Sequence, residues 1–322
     1  LAFDAAGGHL EVLAPQRVLD VQRHQAVAGQ ACRVEPDAHG VAAGVDLGLG
    51  HADDGLDAVL DQALGDVGHF ELVVSPEPHA GNWLRTTPET FRVTFRQFFA
   101  DWERERPMKA RIDRLTGDMS PPAPIAPERL AAQLLASAKW VNESIEFWVR
   151  MINMWKVMPN TFRSYKQLSD RAIDATPGGE PMVAYWSLPK DEALIVRVRP
   201  PECPYWAVEF GNFWWMSMDY RYRLSNTNCH YAQLEDDGEL IVVVAHEDPG
   251  LPNWLDTSGF SEGYLTYRWM LAGSCPEPQT TQVKTAELCK HLPAKIKRIT
   301  PDARREQLAA RRRGVINRFG NL

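Results

Sequence analysis

From Leu134 to Trp155 the apolar residues Leu134, Ala138, Val141, Ile145, Trp148, Ile152 and Trp155 fall at alternating steps of four and three. That spacing lays one continuous apolar stripe along a helix. It predicts a helix from about Glu128 to Val157, with Pro127 at its first position and Pro159 beyond its end. A stripe holding two tryptophans calls for a large cover. Packing on a sheet of the same chain is the expectation, with a coiled coil as the rival. Across residues 180–272 the period changes. MVAYWSL, EALIVRVRP, YWAVEFGNFWW, ELIVVVAHE and GYLTYRWML are rich in β-branched and aromatic residues, and polar or Pro/Gly turns separate them. GELIVVVA is a nearly unbroken apolar run, as expected of a strand covered on both faces.

Upstream, FELVVSPEP reads as a strand running into a Pro-marked turn, and Phe91–Arg96 alternates with period two. FFADWERERP follows as a charged turn or short helix, and DMSPPAPIAP as a stiff, irregular connector. Thr300 as cap, Pro301 at the first position and Asp302 in the first turn predict a C-terminal helix over 301–319. The fold class that follows is α+β and mainly β. An antiparallel β-sandwich or jelly-roll-like core carries one long amphipathic helix and a C-terminal helix. There is no regular βα alternation and no GxGxxG, which argues against a nucleotide-binding α/β sheet.

Composition adds a seam near residue 69. Residues 1–68 hold 13 Ala, 10 Gly and 9 Asp, but no Ser, Thr, Asn, Ile, Met, Lys, Trp or Tyr. All eight missing types need codons that begin with A or T. Reading GC-rich DNA out of frame, or on the opposite strand, removes such codons. The leader is therefore expected to be a mistranslated frame or a wrongly extended start, the alternative being a disordered Ala/Gly/Asp-rich segment. Either way it offers few large apolar side chains to offset chain entropy. Any helix near Asp57–Leu64 should be weak, and His9, His24, His39 and His51 have no metal-ligand spacing. Residues 69–322 are expected to form a single β-rich domain.

Over the whole chain, 35 basic and 42 acidic side chains give a net charge of −7, which argues against a surface given over to nucleic acid. A local exception is the C-terminal helix, with Arg304, Arg305, Arg311, Arg312, Arg313 and Arg318. No aromatics interleave its arginines, so a solvated helix is the plainer reading. No run of eighteen apolar residues is present, so no membrane-spanning helix is expected. Five dispersed cysteines without a CxxC pair suit reduced thiols in a cytoplasmic protein.

Candidate chemistry concentrates in Phe210–Arg268, where Trp, Asn, Asp, Arg and His crowd together as in a pocket for a polar organic ligand. His246 ends an apolar strand, and Asp248 or Asn253 could orient it as a general base. Trp214 and Trp215, if on a strand, face opposite sides, so at most one lines a pocket. Asp219 and Arg268 suit an ion pair or a carboxylate site. Trp214, Asp219, Asn226, Asn253, Trp254 and Arg268 are the ligand-binding candidates. GxSxG and HExxH are absent, and neither a metal nor a cofactor is implied. Cys229 beside His230 would point apart on a strand. HAGNWL, with Asn82 and Trp83, echoes the PNWL of 252–255, a repeat short enough to be chance.

GNWLRTTPETFRVTFRQFFADWERERP, WWMSMDYRYRLSNTN and AHEDPGLPNWLDTSGFSEGYLTYRW together resemble the bacterial family called domain of unknown function 1214. The resemblance runs from about Phe70 to the end and covers none of 1–68. It implies a β-sandwich-like core with accessory helices and no agreed activity. Among the family-like positions are Asn82, Trp83, Arg96, Asp101, Trp102, Gly259 and the candidates above. Three functions remain open. The first is a binding module for a small polar ligand, carbohydrate- or lipid-derived. The second is a hydrolase using His246 with Asp248. The third is an interaction protein using the long helix or the basic tail.

Overall fold

The computed structural model describes residues 2–3, 10–11, 30–35, 42–47, 70–87, 93–106, 109–115, 121, 123–164, 181–270 and 272–320. In chain order its strands are β1 (Ala2–Phe3), β2 (Leu10–Glu11), β3 (Gln30–Glu35), β4 (Ala42–Leu47), β5 (Phe70–Ser75), β6 (Trp83–Arg85), β7 (Val93–Phe98) and β8 (Lys109–Arg114). Helix α1 (Pro127–Trp155) follows. Then come β9 (Arg163–Ser164), β10 (Met182–Ser187), β11 (Glu192–Val198), β12 (Tyr205–Asn212), β13 (Asn226–Asn228), β14 (Leu240–Ala245), β15 (Trp254–Asp256), β16 (Glu262–Met270) and β17 (Gln279–Lys284). A 3₁₀ turn (Thr285–His291) and α2 (Pro301–Phe319) complete the chain. By contacts the chain divides into two units: Leu1–Val12, Phe98–Glu105 and Trp148–Leu322 form the first, Leu13–Gln97 and Arg106–Phe147 the second. That division does not fall at the composition seam.

The first unit is the sandwich that the strand pattern predicts. One sheet has the order β13-β12-β16-β10-β9, the other β15-β14-β11-β17. Pairing is antiparallel except between β14 and β15. Alternate residues of both sheets meet in one core. Trp186, Val208, Leu265, Tyr267 and Trp269 come from the first sheet and Leu194, Val196, Leu240, Val242 and Val244 from the second. The opposite residues of β14 (Ile241, Val243 and Ala245) are buried too, beneath Leu251, Leu288 and Leu292. Burial on both faces is why this strand reads as a continuous apolar run.

Strands β12 and β16 approach closely at two glycines. Gly211 lies opposite Tyr264, and Asn212 opposite Gly263. A methyl group on Gly211 would sit 2.0 Å from Tyr264 Cε1, and one on Gly263 would sit 2.0 Å from the Gly211 carbonyl oxygen. The space is taken by the Tyr264 ring, on which Trp215 stacks at 4.1 Å. Trp215 in turn meets Trp148 and Trp155 of α1 at 5.2 and 4.5 Å. The C-terminal end of α1 is thus buried (Met151, Ile152, Trp155), whereas Leu134, Val141 and Ile145 are 64%, 47% and 56% exposed. The cover expected for the whole stripe exists over its last turns alone.

The second unit has a four-stranded sheet of order β6-β5-β3-β8 and a β4–β7 pair. This wiring repeats that of the first unit. In both sheets a short parallel strand flanks an antiparallel run of three. The chain visits them in the same order, and β4–β7 stands where β12–β16 stands. The Asn-Trp echo belongs to this repeat. Val73 donates its N–H to the Asn82 carbonyl at 2.9 Å, as Val243 does to Asn253 at 3.1 Å. The Trp83 indole donates to the Ser75 carbonyl and the Trp254 indole to the Ala245 carbonyl, each at 3.0 Å. The same corner is built twice, so the sequence echo has a structural cause.

Other expectations fare unevenly. Strand β7 (Val93–Phe98) overlaps the alternating stretch, of which Phe91 and Arg92 lie outside the described residues. The leader supplies β1 to β4, although its composition pointed to no packed structure. The helix expected near Asp57–Leu64 and the four leader histidines lie outside the described residues.

Candidate functional site

At one edge of the sandwich the outermost strands of the two sheets, β13 and β15, come together. Asp256 donates its N–H to the Leu224 carbonyl at 2.8 Å, and its carboxylate holds Arg223 at 2.9 Å. Helix α2 lies along this edge, a common way to cover exposed strand backbone. Thr300 caps it by accepting from the Ala303 N–H, and Pro301 opens it. Its inward face is not apolar. Arg304, Arg311, Gly314 and Val315 are the buried residues.

The two buried arginines sit seven residues apart and have different surroundings. Arg304 faces a carboxylate, with Nε at 2.9 Å and Nη2 at 3.1 Å from the two oxygens of Asp248. It also donates to the Leu251 carbonyl and to Gln307, and stacks on Trp254. Arg311 donates only to neutral acceptors. These are the carbonyls of Tyr220 (2.6 Å) and Asn226 (3.3 Å), the Asn226 side-chain oxygen (2.5 Å) and Ser225 Oγ (3.4 Å). Its guanidinium lies over the Trp102 ring. Burial lowers its pKa to about 10 against the opposing pull of Asp219, so it is still a cation at neutral pH.

Arg311 lines an open cleft, about 370 Å³ with the solvent space at its mouth included, together with Trp102, Leu224, Asn226, Thr227, Tyr231, Pro252, Asn253, Trp254 and Gln307. Trp102 is held in place from several sides. Its backbone N–H donates to the Tyr231 hydroxyl at 3.0 Å, its indole to the Phe99 carbonyl at 2.9 Å, and Asn317 donates to its carbonyl at 3.0 Å. Gly314 permits this contact, because a side-chain carbon there would lie 2.8 Å from Trp102 Cβ. Asn228, fully buried, fixes the neighbouring loops. It donates to the carbonyls of Phe99 and Ala100 and accepts from the N–H groups of His230 and Tyr231. Burial and the nearby Asp101 push the Tyr231 hydroxyl up to about 12.

Three of the residues expected to bind a ligand meet here: Asn226, Asn253 and Trp254. Asn253 is itself committed to the fold, bonding both backbone polar groups of Gln233 and the Ile241 carbonyl. The others lie elsewhere. Trp214 is 61% exposed and packs edge-on against Phe213. Strand β12 stops at Asn212, so the expectation that Trp214 and Trp215 alternate on a strand is corrected. Trp215 has a left-handed backbone (φ 59°) in the following turn. Asp219 accepts the Arg221 N–H within its own turn, and Arg268 pairs with Glu209 at 3.2 Å instead.

The general-base pairing also fails to form. His246 Nδ1 meets Thr257 Oγ1 at 2.9 Å and Nε2 meets the Leu188 carbonyl at 3.2 Å. Asp248 turns to Arg304, so neither side chain serves the other. Among the described residues no group of three His, Cys, Asp or Glu is placed to hold a metal ion, and no helix is long and apolar enough to cross a membrane. Arg305 pairs with Asp302 and Arg313 with Glu103 and Glu306, while Arg312 lies over Tyr222 and Arg318 over Phe99.

No family model matches the chain, and no curated protein does. Among solved structures, an uncharacterised protein from Burkholderia cenocepacia is similar, with 28% identity and a TM-score of 0.69. The match covers 80% of this chain and 74% of that one. The VPA0106 protein from Vibrio parahaemolyticus matches 79% of this chain and 86% of its own at 11% identity, with a TM-score of 0.44.

Proposed function

We propose that the chain is a binding protein for a small polar organic ligand, held in the cleft under α2. A single observation carries the reading. The aromatic and amide residues that the sequence singled out, Asn226 and Trp254, share one concave surface with Trp102, Tyr231 and a buried cation. We also propose, on the motifs around Asn82, Trp214 and His246, that the chain belongs to the domain of unknown function 1214 family. The test of the binding reading is a panel of small carboxylic acids, amides and sugars, screened by shift in melting temperature. Binders should lose their effect in Trp254→Ala and Asn226→Ala but keep it in His246→Ala. A panel without a single binder, or binders indifferent to Trp254, would overturn the reading.

A second reading rests on the uncovered apolar positions of α1. Leu134, Leu135, Val141 and Ile145 are all about half exposed or more, and such a stripe is a usual mark of an interaction surface. Light scattering on Leu134→Lys with Ile145→Lys tests it. An assembly that falls apart on substitution supports it, and an unchanged monomer removes it.

A further inference from the structure

We infer that the ligand of the α2 cleft is an organic monocarboxylate, with Arg311 as its anchor and the rings of Trp102 and Trp254 beside its apolar body. The inference deepens the proposed function and rests on that cleft being the binding site.

Its basis is the contrast between two arginines on one helix. Charges taken out of water are normally matched by an opposite charge. Arg304 follows the rule through both oxygens of Asp248. Arg311 is equally buried, 4% against 6% exposed, yet no carboxylate among the described residues touches it. Four donated bonds are accounted for, so a fifth N–H, on Nη1, has no acceptor among the described residues. Asp219 acts on it only from a distance, its carboxylate being engaged with the Arg221 N–H.

The remaining polar capacity of the cleft has the same sense. The Asn226 side-chain nitrogen and the hydrogens of the Tyr231 and Thr227 hydroxyls have no acceptor among the described residues. The Tyr231 oxygen already accepts from Trp102. The carbonyl oxygens of the amide side chains each already accept a bond, that of Asn226 from Arg311, of Asn253 from Gln233 and of Gln307 from Arg304. A lining whose uncommitted groups are mostly donors, beside a cation, selects an acceptor-only anion. Tryptophans, Leu224 and Pro252 leave an apolar surface for whatever follows it. That suits a carboxylate on a carbon skeleton better than free phosphate, which has no apolar part.

Calorimetric titration with benzoate, its neutral counterpart benzamide and inorganic phosphate tests this. Benzoate should bind at least about tenfold more tightly than either of the other two, the usual worth of a charge-assisted contact. Arg311→Gln should lose that preference. Asn226→Asp supplies a carboxylate from within the chain to the guanidinium 2.5 Å away. It should raise the melting temperature and abolish benzoate binding together. Equal binding of benzoate and benzamide, both lost in Trp254→Ala, overturns the carboxylate assignment and leaves the cleft reading standing. Tighter binding of phosphate also overturns the assignment. If Trp254→Ala leaves every probe unaffected, the cleft reading itself has failed.

Discussion

A buried guanidinium with no carboxylate in ion-pairing reach among the described residues is costly, and at Arg311 burial lowers the pKa well below the ordinary arginine range, to about 10. The folded chain holds that proton less tightly than the unfolded one. The penalty is therefore present below pH 10 and is relieved as pH climbs from there toward the ordinary arginine range. Binding has the opposite dependence. Benzoate affinity should be level from pH 6 to 9 and fall as pH passes about 10, where Arg311 loses its charge, before the Tyr231 hydroxyl ionises to a phenolate at about 12. A loss centred near neutrality would assign the anchor to another group. Asp248 illustrates the converse. Removing it in Asp248→Ala strands Arg304, whose side chain is 7% exposed. Since Asp248 itself is 35% exposed, the expected loss of stability is about 2–3 kcal/mol, below the range for a fully buried pair. Urea unfolding measures it. Sequence reading placed Asp248 beside His246 because they are neighbours in the chain. It had no means of seeing that α2, more than fifty residues later, would claim the carboxylate.

At the scale of elements, the pairing of β12 with β16 depends on two positions without side chains. Gly263→Ala puts a methyl 2.0 Å from the Gly211 carbonyl oxygen, which also accepts from the Trp186 indole at 2.9 Å. Backbone cannot yield as a flexible side chain can, so a loss of about 3 kcal/mol is expected from overpacking, read by thermal unfolding. An unchanged melting temperature would mean that the strands separate at little cost there. The elements themselves were largely legible. The five strands β10, β11, β12, β14 and β16 follow from alternation and β-branched content, and α2 from its Thr-Pro-Asp start. What patterning could not give was the face α2 buries. Arg304 and Arg311 read as a solvated basic surface, and only the edge formed by β13 and β15 makes that face the inner one. The spacing of seven between them, together with Gly314, was the available signal.

For the whole molecule, the repeated wiring shows how the strands depend on one another. In the second unit β5 and β8 both pair with β3, and β7 pairs with β4. Among the described residues, β9 to β17 of the first unit pair only with one another. Deleting residues 13–68, all of them in the second unit, should therefore abolish the unfolding transition of that unit and leave benzoate binding intact, as scanning calorimetry and titration would show. If the cleft's affinity fell with the deletion, the two units would not be independent in this sense. The repeat left just three shared letters around Asn82 and Asn253, because the corner needs only a backbone carbonyl and one indole N–H.

Trp102 is gripped by the Tyr231 ring 4.4 Å from its own and by the Arg311 guanidinium over its face. An anion arriving at that guanidinium changes the electric field across the indole. The native chain thus carries an optical reporter of its own occupancy, and filling the cleft should shift the near-ultraviolet spectrum without any attached dye.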